Sequence, residues 1–163
     1  MKRETPVNVV VAGLGGQGVL TCSDLLADAA FRTGLDVKKA EIHGMSQRGG
    51  SVSCDVRFGA AVLSPMVPDG EADFLVVLEA TQEAPNRHVL KPDGLLLSVT
   101  QLDTAALPSP KTLNTAMLGM LSRHVPEIPE ASWQSALDAA FPEKIRAMNH
   151  AAFETGKNSV KIH

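Results

Sequence analysis

Val7-Asn8-Val9-Val10-Val11-Ala12-Gly13-Leu14-Gly15-Gly16-Gln17-Gly18-Val19-Leu20 is the stretch that decides the fold. Its first six residues are β-branched and almost continuously apolar, the pattern of a strand buried on both faces of a parallel sheet. A glycine cluster follows at once. Beyond it Val19, Leu20, Leu26, Ala29 and Ala30 recur at helical spacing, and Gly34 stands where a helix stop is expected. Val37 to Ile42 reads as a second strand. Gly13-x-Gly15-x-x-Gly18 between strand and helix matches the dinucleotide-binding fingerprint. Residues without Cβ allow a tight turn and the close approach of an anion, and the helix N-terminus offers free N–H groups. Glu41, closing the second strand, stands where a nicotinamide enzyme reads the ribose hydroxyls. Such loops also serve other anions, or simply pack a helix onto a sheet, and the residues after Glu41 do not begin the crossover helix that nucleotide binding leads one to expect.

They form instead a second polar, glycine-rich loop, His43-Gly44-Met45-Ser46-Gln47-Arg48-Gly49-Gly50. Its flexible backbone carries Ser, Gln and Arg heads suited to a carboxylate, a phosphate or a partner's polar surface. The next segment, Ser51 to Phe58, alternates Val52, Cys54, Val56 and Phe58 with Ser53, Asp55 and Arg57. One buried and one polar face suit an antiparallel or edge strand. Phe74 to Leu78 and Leu95 to Val99 read as buried strands, with a helix from about residue 84 to Leu90 and a turn at Pro92-Asp93-Gly94 between them. Leu102 to Thr112 is loop. The remainder is helical: Asn114 as a cap, then Met117, Leu118, Leu121 and Val125; Trp133, Ala136, Leu137 and Ala140 on a second face; Ile145, Met148, Ala152 and Phe153 on a third, with Gly156 as its stop. The expected fold is α/β: a three-layer αβα sandwich, Rossmann-like, with a mixed, mainly parallel sheet and a helical C-terminal part. Residues 1–156 form the expected domain and 157–163 a tail.

With 163 residues, 15 basic against 18 acidic side chains and a net charge of -3, the chain does not read as a nucleic-acid binder relying on bulk positive charge. One Trp and no Tyr leave no stacking platform for single strands. No apolar run reaches the ~20 residues of a membrane span, and the charged start running into glycines is no signal peptide, so the cytoplasm is expected. Cys22 and Cys54 are too few for a structural zinc site or an iron–sulfur cluster. They read as buried thiols, with Cys54 on the apolar face of its strand.

Gly13 to Thr21 followed by Glu41-x-His43-Gly44-Met45-Ser46-Gln47-Arg48-Gly49-Gly50-Ser51-Val52 strongly resembles the small subunit of indolepyruvate:ferredoxin oxidoreductases, and more broadly the gamma subunit or domain of 2-oxoacid:ferredoxin oxidoreductases. The resemblance continues at Val56-Arg57, Ser64-Pro65, Gly70-x-Ala72-Asp73, Leu78-Glu79, Asn114-x-x-Met117-Leu118-Gly119 and Asn149-x-Ala151-x-Phe153-x-x-Gly156. It implies a chain with no catalytic residues, metal or cofactor of its own. Thiamine diphosphate, Mg and iron–sulfur clusters then belong to a large partner subunit, with ferredoxin reached through the complex and coenzyme A as co-substrate. The residues facing that active site, or touching coenzyme A or substrate, are then Gly13, Gly15, Gly16, Gln17, Gly18, His43, Ser46, Gln47, Arg48, Gly49 and Gly50, with Gln17 and Arg48 the leading candidates for contact. One departure stands out: the family pattern has a further strand and helix where this chain has only Gln101 to Leu113. A stand-alone Rossmann oxidoreductase and a non-catalytic interaction domain are the competing readings. His43, Asp73 and Glu79 read first as structural groups at strand ends.

Overall fold

In the structure, a computed structural model describing residues 3–43 and 49–160, the apolar run after Pro6 becomes β1 (Val7–Leu14). It is followed by α1 (Val19–Phe31), β2 (Asp36–His43) and β3 (Ser51–Gly59). The chain continues through β4 (Ala72–Val77), α2 (Glu83–Asn86), β5 (Leu90–Ser98), α3 (Leu113–Ser122), α4 (Glu130–Ala140) and α5 (Glu143–Ser159). The strand order is β2-β3-β1-β4-β5. β3 runs antiparallel to both β2 and β1, while β1, β4 and β5 are parallel. Four of the five strands therefore point one way, as expected of a mainly parallel sheet, and β3 opposes them.

The period-2 burial of β1 divides the core. Val7, Val9 and Val11 face the layer of α1, α3, α4 and α5, packing with Cys54, Val56 and Phe58 of β3. Val10 and Ala12 face the other layer with Leu75 and Val77. That second layer is thin. It consists of the connection after β3, which inserts Val67, and of residues around Val89. The alternation of β3 explains how the connection is held. Arg57 donates to the carbonyls of Ser64 (2.9 Å) and Met66 (3.3 Å), and Asp55 accepts the Val67 N–H at 2.9 Å. The polar face of β3 is thus a mount for a loop, and Asp55 is buried although the alternation assigned it to the polar side.

Four expectations are corrected. The helix foreseen up to Leu90 is broken into single 3-10 turns around a four-residue α2. Pro85 has no N–H to give, and Asn86 spends its side-chain amide on the Gln82 carbonyl. Pro92-Asp93-Gly94 lies inside β5 as an irregularity, where Ala72 pairs with Leu90 and Phe74 with Leu95. Asn114 is not a cap; α3 starts before it, at Leu113. Gly156 does not stop α5, which continues to Ser159, and Lys157 is helical and paired with Glu130 at 3.0 Å. A Cβ on Gly156 would lie 1.7 Å from the Ala116 carbonyl oxygen, and one on Gly119 would lie 1.9 Å from that of Phe153. These glycines exist for the close crossing of α3 and α5. Residues 99–112 form three 3-10 turns, opened by the side chains of Ser98, Asp103 and Ser109. Among the described residues no helix is long and apolar enough to cross a membrane.

The amino ends of the strands are tied at Asp73. Its carboxylate takes Arg3 at 2.7 Å, Lys91 at 2.5 Å and the Asn8 N–H at 2.9 Å. Burial pushes its pKa up, but the bonds from Lys91, Arg3 and Asn8 outweigh burial and hold it below the ordinary carboxylate value. A lowered folded-state pKa stabilises the fold above the unfolded value and is lost as pH falls through the folded one. Asp73→Asn is therefore expected to lower the urea midpoint at pH 7 and to flatten its decline below pH ~4. Parallel acid slopes for the variant and the parent would refute this.

Candidate functional site

The chain leaves β1 toward β2 and β3, then returns past β1 to β4. The carboxyl ends of β1 and β4 therefore flank the topological switch point, where open α/β sheets place their ligands. The glycine loop sits there. Leu14-Gly15-Gly16-Gln17 closes a turn through the Gln17 N–H to the Leu14 carbonyl at 3.2 Å, with Gly16 at φ 87° as a type II turn requires. Gly18, at φ 84°, precedes the first turn of α1, and its carbonyl accepts the Cys22 N–H at 2.9 Å.

Gln17 holds this turn in place. Its Oε1 accepts the Leu14 N–H at 2.7 Å, and its Nε2 donates to Glu79 at 2.8 Å across the crevice. The side chain expected to reach a substrate is committed to the loop's own geometry. Glu79 in turn ties the end of β4 to the end of β1, the structural role expected of it. Next to it, at the end of β5, lies a polar group that the sequence reading did not single out. Ser98 bonds Glu83, and Thr100 donates to Glu83 at 3.3 Å. The signal was present in Ser98-x-x-Gln101, a capping box around the turn that follows β5.

The fingerprint glycines are accounted for within the chain. A Cβ on Gly13 would meet Val19 at 2.8 Å and Gln17 at 3.0 Å, and one on Gly18 would meet Asn114 Nδ2 at 2.5 Å. Gly15 is approached by the second loop: its N–H donates to the Gly50 carbonyl at 2.9 Å, and a Cβ there would lie 3.3 Å from the Gly49 nitrogen. In a dinucleotide site the pyrophosphate makes this approach. Glu41 is also misplaced for a ribose. With β3 inserted, β2 lies two strands from β1, about 10 Å away, and Glu41 accepts from Lys39 at 3.0 Å. The sequence showed strand, loop, helix and strand in the right succession. It did not show that a third strand would pair between the first two.

The two glycine loops thus meet at Gly15, Gly49 and Gly50. His43 ends β2, paired with Val52. Ser46, Gln47 and Arg48 lie outside the described residues. Cys22 and Cys54 are both buried. Desolvation pushes both thiols up, as expected of unreactive buried cysteines. The amides of Gly16, Gly18, Val19 and Leu20 have no internal acceptor among the described residues, as the first turn of a helix leaves them.

A family model described as pyruvate ferredoxin/flavodoxin oxidoreductase matches residues 8–110, a span containing the sheet and both glycine loops. The chain belongs to the pyruvate ferredoxin/flavodoxin oxidoreductase family. Within this family it is 40% identical over 122 residues to indolepyruvate oxidoreductase subunit IorB of Archaeoglobus fulgidus, covering 75% of this chain and 59% of that one. To the IorB of Thermococcus kodakarensis it is 46% identical over 91 residues, 56% of this chain and 45% of the relative. The chain thus spans about half the length of these curated relatives. The fold is shared with the gamma subunit of a keto/oxoacid ferredoxin oxidoreductase from Geobacter sulfurreducens, at TM-score 0.81 and 21% identity, covering 94% of this chain and 95% of that one. It is also shared with part of the 2-oxoglutarate:ferredoxin oxidoreductase of Magnetococcus marinus, whose structure contains 2-oxoglutarate, coenzyme A and succinyl-CoA. That match has TM-score 0.79 and 22% identity and covers 96% of this chain and 31% of that one.

Proposed function

We propose that this chain is the gamma-type subunit of a 2-oxoacid:ferredoxin oxidoreductase acting on indolepyruvate or another aryl pyruvate. It completes an active site whose thiamine diphosphate, Mg and iron–sulfur clusters are held by a large partner subunit in the cytoplasm. The complex decarboxylates the oxoacid oxidatively, passes electrons to ferredoxin and transfers the acyl group to coenzyme A. The isolated chain is inactive.

One observation carries this reading over free nucleotide binding. The second loop's backbone occupies the approach to Gly15 through the 2.9 Å bond to Gly50, so the two loops form one composite edge and not an open cradle. At that edge the amides of Gly16, Gly18 and Leu20, without an acceptor among the described residues, suit an anionic group of coenzyme A or of the substrate. Arg48, from the second loop, supplies the complementary charge.

The test is reconstitution with the large subunit and assay of viologen reduction dependent on both the oxoacid and coenzyme A. Activity is expected only with both chains present, and Arg48→Ala is expected to lower turnover about tenfold or more, the scale of a lost charge-assisted contact. Activity of the large subunit alone equal to that of the pair would overturn the accessory role. In calorimetry the purified chain is expected to show no NAD(H) binding. Micromolar binding would restore the stand-alone reading.

A further inference from the structure

A line of buried polar side chains runs from α5 to the glycine loop. In the middle of α5, Asn149 donates through Nδ2 to the Ile145 carbonyl at 2.9 Å, and its Oδ1 accepts from the Thr115 hydroxyl at 2.9 Å. The Thr115 N–H, in the first turn of α3 where no intrahelical acceptor exists, donates to Asn114 Oδ1 at 2.9 Å. That bond fixes the Asn114 amide, whose Nδ2 reaches the Gly18 carbonyl at 3.4 Å. All three side chains are buried: Thr115 fully, Asn149 and Asn114 at 4% and 7% exposure. Core packing alone does not call for three amide and hydroxyl groups in this layer, because buried polar groups cost stability unless bonded. The Thr115 hydroxyl reaches Asn149, the Thr115 backbone N–H reaches Asn114, and Asn114 reaches Gly18.

We infer that Asn114 is a positioning residue for the glycine loop, with Thr115 and Asn149 as its mount. The inference deepens the function proposed above and rests on that reading for its kinetic consequence. Gly18 is the hinge between the turn and α1, in a left-handed conformation, and its carbonyl shares one rigid peptide plane with the Val19 N–H, so its orientation sets how the first turn of α1 leaves the loop. Asn114 touches that hinge from behind. The α3–α5 crossing, locked by Gly119 and Gly156, sets where Asn114 stands. The C-terminal helices thereby bear on the glycine loop through the contact of Asn114 with Gly18.

The test uses amide hydrogen exchange on the full chain, with kinetics on the reconstituted complex. Asn114→Asp keeps the acceptor for the Thr115 N–H but replaces the donor facing the Gly18 carbonyl with an anion. Thr115→Val keeps the shape and removes the hydroxyl. Thr115→Ser keeps the hydroxyl. Exchange at Leu14, Gly15, Gln17 and Cys22, whose N–H groups are bonded within the loop, to the second loop and to the Gly18 carbonyl, is expected to rise about tenfold in Asn114→Asp and several-fold in Thr115→Val, with Thr115→Ser near the parent and with β4 and β5 amides unchanged. In the complex, the two loosened variants are expected to lose kcat with KM for the oxoacid held. Exchange that rises uniformly over the chain, or does not rise at the loop, overturns the positioning role. Loop-confined loosening with unchanged kinetics upholds the positioning role and overturns the catalytic reading of the loop.

Discussion

Gly156→Ala is expected to lower the melting temperature by on the order of 10 °C, from a loss of about 3 kcal/mol or more. The added methyl would lie 1.7 Å from the Ala116 carbonyl oxygen and 2.5 Å from its carbon. Those are backbone atoms of α3, so no side-chain rotation relieves the clash, and the helices must separate. Separation is costly here because α3 is buried from Asn114 to Leu121, and α5 contributes Ala152 and Phe153 to the same core, the latter in a tilted contact with Trp133 at 5.7 Å between ring centroids. Gly34→Ala is the control. Gly34 has φ 81° with nothing among the described residues within 4 Å of a new Cβ, so left-handed backbone strain of about 1–2 kcal/mol is at stake. If Gly156→Ala costs no more than Gly34→Ala, the close crossing is wrong.

The contrast between these two glycines shows what the sequence could and could not convey. Gly34 was legible as a helix stop because termination is local: a residue free to adopt positive φ after an apolar periodic run. Gly156 offers the same one-letter signal, yet its cause is the carbonyl of a residue forty positions earlier. Asn114 repeats the lesson. As a polar residue before an apolar run it reads as a cap, but its side chain serves a loop at the other end of the chain. Most strands were legible, since two-sided and one-sided burial leave different periodicities, but the first half of β5, from Leu90 through Pro92-Asp93-Gly94, read as helix end and turn. The pairing of β3 between β2 and β1 was legible only as a preference for antiparallel neighbours.

That pairing is also what separates this loop from the nucleotide cradle it matches. The fingerprint describes a local requirement, backbone without Cβ at three positions, and says nothing of what approaches those positions. Here Val19 and Gln17 approach Gly13, Gly49 and Gly50 approach Gly15, and Asn114 approaches Gly18. All three positions of the spacing are thus approached by protein, while at the neighbouring Gly16 nothing among the described residues lies within 4 Å of a new Cβ.

Gln17→Leu is expected to reduce turnover of the reconstituted complex on the order of a hundredfold, the scale of a displacement of about 1 Å at an active-site element. Leucine fills similar space but cannot accept the Leu14 N–H or donate to Glu79, so the turn loses the two bonds, 2.7 and 2.8 Å, that pin it to both strand ends. The stability cost is smaller, about 1–3 kcal/mol for a part-buried N–H left without an acceptor, because the sheet beneath keeps its ladder. Glu79→Gln separates positioning from chemistry. It preserves an oxygen acceptor for Gln17 Nε2 while removing the charge. Under the positioning account Glu79→Gln stays within about threefold of the parent, less than the loss of one net hydrogen bond, while Gln17→Leu collapses. Equal losses in both variants would instead make the Glu79 carboxylate the functional group and Gln17 merely its holder. Unchanged turnover in Gln17→Leu would remove the glycine loop from the active site altogether.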